Sequence, residues 1–207
     1  MYASTITARG RSTALDATVA LVRDELLPRV DQLDGCTGMS VLAGRRTGRC
    51  IVTTGWRTEQ AMWAGTRRMR PATVRFGLTL GAAPERGEWE VALLHRLQPA
   101  GPDAVCRLVW SLLPDPERID DDLATFRIAM LPRIEDLIGF RSASLLVDRQ
   151  RGRTVLAVTY ADREAMITSG QRADALRQDY ARQMGGRITE VADLDLVVAH
   201  LGVPETV

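Results

Sequence analysis

A single stretch is written twice in this chain. LPRVDQLDG at Leu27 returns as LPRIEDLIG at Leu131, and a shift of 104 residues aligns the halves without a gap from about Tyr2 to Gly65. Between 27–65 and 131–169, twelve of 39 columns are identical, where average composition gives about one in sixteen by chance. The identities include Pro28/Pro132, Gly35/Gly139, Ser40/Ser144, Gly48/Gly152 and the pair Ala61-Met62/Ala165-Met166. The chain is a tandem duplication, and whatever one half folds into, the other must fold into as well.

The columns that differ carry the physics. Leu15, Val19, Val22, Leu26, Val30 and Leu33 recur at spacings of three and four, one stripe of a helix, and their counterparts Ile119, Leu123, Phe126, Met130, Ile134 and Leu137 are all apolar. Ser12 or Thr13 is placed to cap the first helix, and Asp120 to Asp122 suit the positive end of the second. Pro28 and Pro132 fall inside this pattern, where a proline removes a backbone hydrogen bond and bends the helix. Gly35 and Gly139 end it.

Two strand-like runs joined by a glycine-bearing turn follow each helix, MSVLAGRRTGRCIVTTGW and ASLLVDRQRGRTVLAVTY, and both read as hairpins. Thr58 and Asp162 are caps for a second helix. The last strands, EWEVALLHR and DLDLVVAHL, align at a shift of 105, and YASTITA and VCRLVWSL open the halves. The division is therefore a repeat over 1–97, a proline- and glycine-bearing linker over 98–104, and a second repeat over 105–207, which ends in GVPETV. Each repeat reads β-α-β-β-α-β, the ferredoxin-like plan. Runs such as VLAV and LVVA are apolar without alternation, which says that both sheet faces are buried. Two helices cover one face, and the other face needs the sister sheet. The predicted fold is α+β, two ferredoxin-like repeats packed sheet to sheet as an intrachain, pseudo-dimeric α/β barrel, with a ligand space between the sheets.

Composition excludes several function classes. Net charge is +1, so no overall field draws nucleic acid or an anionic membrane. No apolar run approaches the roughly 18 residues of a membrane span, and MYASTITARGRSTALD lacks the apolar core of a signal peptide, so a cytoplasmic location is expected. Cys36, Cys50 and Cys106 form no C-x-x-C pair and read as reduced structural thiols. All 27 basic residues are arginine, since the chain has neither lysine nor asparagine. That removes Schiff-base and P-loop chemistry.

The pattern G-x-x-x-x-x-LL, a charged glycine turn, a strand ending in Trp or Tyr, then x-E-A-M resembles the antibiotic biosynthesis monooxygenase family of dimeric α/β barrels. It is clearest in GFRSASLLVDRQRGRTVLAVTYADREAM and returns in GCTGMSVLAGRRTGRCIVTTGWRTEQAM. The resemblance implies a fused pair of what are ordinarily two chains, and a small-molecule site used by cofactor-free oxygenases of aromatic polyketides and by haem-degrading enzymes. Such oxygenases typically place an asparagine in the cavity, which this chain lacks. Haem-degrading relatives carry a tryptophan where this chain has Gly65 and Ser169, and no histidine lies in either helix, so the haem reading is disfavoured.

Candidate chemistry rests on few residues. His95 and His200 are the only histidines and occupy one position of the duplicated last strand, in phase with Trp89, Val91 and Leu93 and with Leu194, Leu196 and Val198. They are either two acid/base groups or two packed histidines. Trp56 and Tyr160 end matching strands, and with Trp110 and Trp63, whose counterparts are Ile6 and Ile167, they are candidate walls for a flat ligand or simply core. Arg107, aligned with Ala3 inside an apolar strand, is either an anchor for an anionic or phenolate ligand or the partner of Glu90 or Asp195 on the last strand. The basic turns GRRTGR and DRQRGR are solvated hairpin tips or phosphate grips. No metal-ligand spacing is present and no cofactor is expected.

Two functions follow. One is a cofactor-independent monooxygenase acting on a flat aromatic or phenolic substrate, with His95 or His200 as base, Arg107 as anion partner and the aromatics as walls. The other is a non-catalytic ligand-binding or interaction barrel. The expected partner is a small, aromatic molecule; one chain suffices for the barrel, and pairing of barrels as a homodimer stays open.

Overall fold

A computed structural model describes residues 1–201; residues 202–207, including GVPETV, lie outside the described residues, as do the side chains of Pro116, Met184 and Leu201. The strands are β1 Tyr2–Arg9, β2 Cys36–Gly44, β3 Arg49–Trp56, β4 Glu85–Arg96, β5 Val105–Leu112, β6 Phe140–Asp148, β7 Arg153–Tyr160 and β8 Arg187–Leu201. Their order is β1-β3-β2-β8-β5-β7-β6-β4, an antiparallel closed barrel with the ferredoxin-like repeat in each half.

The helices follow the duplication. α1 spans 15–30, α2 Glu59–Arg68 and α3 Arg70–Leu80; α4 spans 119–135, α5 Arg163–Thr168 and α6 Gly170–Met184. Thr58 and Asp162 cap α2 and α5, accepting the amides of Ala61 (3.1 Å) and Ala165 (2.8 Å). Ser12 and Thr13 do not cap α1; they form a short 3-10 turn before it, without a side-chain cap bond. Pro28 and Pro132 are accommodated by a π turn, Val22–Leu26 in α1 and Phe126–Met130 in α4. The Leu27 and Leu131 amides bond to the carbonyls of Val22 and Phe126, five residues back, so the helix absorbs the proline's missing donor by widening once. Gly35 and Gly139 end these helices with φ of 77° and 74°. A Cβ on either would come within 2.7 Å of the Cβ of Ala61 or Ala165, which explains why glycine and alanine recur together in both repeats.

The chain divides into two compact units that do not coincide with the repeats. The first is Met1–Trp89 with the chain from Leu194; the second is Glu90–Asp193. In the first, β1, β3 and β2 are joined by the end of β8, where Met39 pairs with His200 and Val41 with Val198. In the second, β5, β7 and β6 are joined by the end of β4, where Ala143 pairs with His95. Each repeat's last strand thus finishes in the other repeat's sheet. Period-two apolar patterning marks a buried strand but not its partner.

Two registers differ from the gapless alignment. Tyr2 pairs with Trp56 and Ser4 with Thr54, whereas Val105 pairs with Tyr160 and Arg107 with Val158. Because Trp56/Tyr160 and Thr54/Val158 are equivalent at 104, the first strands match at 103. Arg107 therefore stands where the first repeat has Ser4, not Ala3, and Trp110 stands opposite Thr7, not Ile6. The extra residue lies between strand and helix: two residues separate Arg9 from Ser12, three separate Leu112 from Pro116. β4 and β8 each carry a bulge, at Ala92 and Val197. An inserted residue inverts the alternation beyond it. His95 consequently shares a face with Leu93 but not with Trp89 or Val91, and His200 with Val198 but not with Leu194 or Leu196.

Both units bury their core between sheet and helices. In the first, Leu15, Val22, Leu26 and Val30 of α1 and Phe76 and Leu80 of α3 meet Val41, Cys50 and Val52. In the second, Ile119, Phe126, Met130 and Ile134 of α4 and Leu176 and Tyr180 of α6 meet Leu145, Val158 and Tyr160.

Candidate functional site

Each unit has a cavity in the same place, between its sheet and its helical layer. The first-unit cavity has about 30 Å³ and the second-unit cavity about 40 Å³, room for two or three waters each.

The second-unit cavity is walled by Val109, Leu156 and Val158 of the sheet and by Phe126, Met130 and Ile134 of α4, with Leu176 of α6 closing the other side. Phe126 and Met130 belong to the π turn, so one wall is the helix segment whose hydrogen bonding is already loosened. Six polar side chains line this largely apolar space: Arg107, Arg177, Tyr160 and Tyr180, with the hydroxyls of Ser111 and Thr154. Arg107 projects from β5 and makes a bidentate pair with Asp193 of β8, Nε to Oδ1 at 2.7 Å and Nη2 to Oδ2 at 2.8 Å. The last strand does supply its partner, but the residue is Asp193; Glu90 is taken by Arg149. Arg177 pairs through Nη2 with Asp174, one turn before it on α6, while its Nη1 is buried and has no hydrogen-bond partner. Tyr180 stacks edge-on to Phe126 and hydrogen-bonds Thr154. Tyr160 is fully buried, and desolvation pushes its hydroxyl up to about 12 even though Arg107 and Arg177 both pull it down.

The first-unit cavity keeps the position but takes its charges from elsewhere: Arg86 and Glu88 of β4 line it, and no guanidinium comes from the positions of Arg107 and Arg177. Trp56 replaces Tyr160, and its Nε1 donates to Ser4 Oγ at 2.9 Å, at the site that corresponds to Arg107. Thr73 lines the wall where the second unit has Arg177. The indole also explains Gly65: a Cβ there would lie 2.0 Å from Trp56 Cη2, so the room for a large side chain at that position is taken.

The other sequence candidates stand elsewhere. His95 Nε2 lies 3.1 Å from Glu135 Oε1 and its ring stacks on Phe140 (6.3 Å, 24°). His200 Nε2 lies 3.3 Å from Asp31 Oδ2, the equivalent carboxylate of the first repeat. Neither histidine lines a described cavity. β4 is two strands beyond β7 in the second unit, roughly 10 Å at the usual strand spacing. Trp110 alternates with Arg107 and Val109 and so sits on the sheet face away from the cavity. Trp63 is exposed on α2, with Nε1 3.3 Å from Glu88 Oε2. Of the predicted site residues, only Arg107 and Tyr160 come together, and Trp56 marks the sister cavity. Arg177, Asp193 and Tyr180 were missed. Arg177 had a signal: it interrupts the stripe Ala173, Leu176, Tyr180 with a charge. Among the described residues no cluster of three or more histidine, cysteine or acidic side chains could hold a metal ion, and no helix is long and apolar enough to cross a membrane.

No protein-family model matches this sequence. A protein of Mycobacterium tuberculosis, the uncharacterized Rv2557, is 37% identical over 207 residues, which span all of this chain and 92% of that one. The chain belongs to the Rv2557 family. Among solved structures, an anthrone oxidase-like protein superposes with a TM-score of 0.67 at 14% identity, covering 99% of this chain and 94% of that one. A Listeria monocytogenes ferredoxin-fold protein related to antibiotic biosynthesis monooxygenases gives 0.54 at 10% identity, covering 95% and 94%. The Rv2557-family chain therefore has the ferredoxin-like α/β-barrel fold of the antibiotic biosynthesis monooxygenase relatives, with both halves on one polypeptide.

Proposed function

We propose that this protein binds a small, flat, largely apolar molecule in the second-unit cavity. The observation that carries the reading is the convergence of Arg107, Arg177, Tyr160 and Tyr180 on a largely apolar space, whereas the first-unit cavity has neither guanidinium at the matching positions and is lined instead by Arg86 and Glu88 of its last strand. The π-turn wall at Phe126 and Met130 is the element that must yield, since the cavity holds only a few waters. The fold's likeness to an anthrone oxidase-like protein supports a cofactor-independent monooxygenase as a second reading, in which the substrate's own anion reduces oxygen.

That reaction needs a base within reach of the substrate. The titratable side chains lining the cavity are two guanidiniums and two phenols held above their ordinary range, none of which accepts a proton at neutral pH. The carboxylates beside the two guanidiniums are already paired, Asp193 with both arms of Arg107 and Asp174 with Arg177. Binding without turnover is the stronger reading, in a protein taken to be cytoplasmic. Oxygen uptake with phenolic and anthrone-type substrates, run beside a binding titration, tests it. Saturable binding with no oxygen consumed is the expected result; consumption that disappears in Arg107→Leu would establish the monooxygenase.

A further inference from the structure

We infer that the ligand of the second-unit cavity enters as a preformed anion, an aryl carboxylate, and that Arg177 Nη1 receives it. This rests on the proposed function and adds the ligand's charge to it. A buried cationic donor without an acceptor is costly, and Arg177 Nη1 is such a donor on a side chain that lines the cavity, where a ligand oxygen can complete it. Arg177 is not neutralised from inside the cavity: its carboxylate partner, Asp174, sits on the solvent side with 56% of its side chain exposed. Arg107 has its charge matched bidentately by Asp193, so it supplies structure and residual field, while Arg177 supplies the free donor.

The duplication offers a comparison. The first unit builds a cavity in the same place with Ser4 and Thr73 at the positions of Arg107 and Arg177, so neither of these guanidiniums is required to form the space; its charged lining, Arg86 and Glu88, comes from β4, and its unpartnered buried atom is the neutral Thr66 Oγ1. Chemistry also selects carboxylate over phenolate. Tyr160 is itself a phenol at this spot and is held neutral to about 12. A phenolic ligand of ordinary acidity entering the same surroundings stays protonated, whereas a carboxylate, whose ordinary pKa is near 4, arrives charged and has a far larger margin to lose.

Benzoate and benzamide are nearly isosteric and differ in charge, so titration calorimetry of both against the intact chain separates the claims. Benzoate is expected to bind at one site per chain, at least tenfold more tightly than benzamide, and Arg177→Gln is expected to lower benzoate affinity at least tenfold and benzamide affinity by a smaller factor, because the amide oxygen also accepts from Nη1 but carries no charge. Equal affinity of the two probes for the unaltered chain overturns the charge assignment and leaves the binding reading standing. Unchanged benzoate affinity in Arg177→Gln overturns the role of Arg177, and two equivalent sites per chain overturn its restriction to the second unit. Absence of binding by either probe overturns both this inference and the proposed function.

Discussion

Gly65 offers a test in which two rules of stability give opposite signs. It lies within α2, where glycine to alanine ordinarily gains about 1 kcal/mol through backbone entropy. Here an added Cβ would sit 2.0 Å from Trp56 Cη2 and 2.4 Å from Cζ3. The indole cannot retreat freely: Trp56 is 1% exposed and its Nε1 is bonded to Ser4. Overpacking of a filled core costs about 1–3 kcal/mol, so Gly65→Ala is expected to destabilise by up to about 2 kcal/mol net. For a domain of this size that lowers the melting temperature by up to roughly 8 °C. The second repeat writes the same two positions as Tyr160 and Ser169, a smaller ring with a larger residue. In a Trp56→Tyr background Gly65→Ala should therefore become neutral or stabilising. Urea unfolding of the four members of this double-mutant cycle measures the coupling, expected at about 1–2 kcal/mol. A stabilising Gly65→Ala in the native background, or a coupling near zero, refutes the packing argument.

Other expectations follow from the same geometry. Arg107→Leu strands the Asp193 carboxylate; because Asp193 keeps 27% of its side chain exposed, the cost is about 1–2 kcal/mol rather than the 3–5 of a fully buried pair, and adding Asp193→Leu should recover most of it in urea titrations. Asp148, 6% exposed, has its pKa held below the ordinary carboxylate value: burial raises it, and the hydrogen bonds from Arg153 and Arg151 more than offset that. A depressed native pKa contributes stability above the unfolded-state value near 4 that is lost as pH falls through the native one. Asp148→Asn should thus flatten the acid limb of stability against pH below the unfolded-state value near 4. Tyr160 gives the opposite limb: its pKa is raised from 10 to about 12, so its contribution is present below pH 10 and is lost between there and pH 12. Tyr160→Phe should reduce the fall in stability over that window. Cys50 and Cys106 are buried with thiols pushed up to about 12, so Ellman's reagent should modify them only at the rate of unfolding, after the less buried Cys36.

Much of the fold was legible because duplication turns one sequence into two readings. Apolar columns at helical spacing, glycine-bearing hairpin turns and the caps Thr58 and Asp162 each recurred, and each is a local feature in which residue type and backbone shape are tied together. What escaped were facts of pairing. Nothing in EWEVALLHR says which sheet its far end joins, and apolar strands fit either copy. The one-residue register change in the first strand is hidden because YASTITA and VCRLVWSL share little, yet it moves Arg107 from the counterpart of Ala3 to that of Ser4. The bulges at Ala92 and Val197 inverted the phase on which the histidines were placed. The site was legible only at Arg107 and Tyr160; Arg177 announced itself as a charge in an apolar stripe, and Asp193 gave no local signal at all.

The central claim is that the second-unit cavity, between sheet and helices and lined by Arg107 and Arg177, is the ligand site. A crystal of the protein grown with 4-bromobenzoate, with data collected at the bromine edge, locates the ligand without reference to any functional assay. The account predicts one strong bromine peak among Phe126, Met130 and Leu176, with the carboxylate against Arg177. A peak beside Trp56 in the first unit, equal peaks in both units, or bromine only on the outer surface would contradict it.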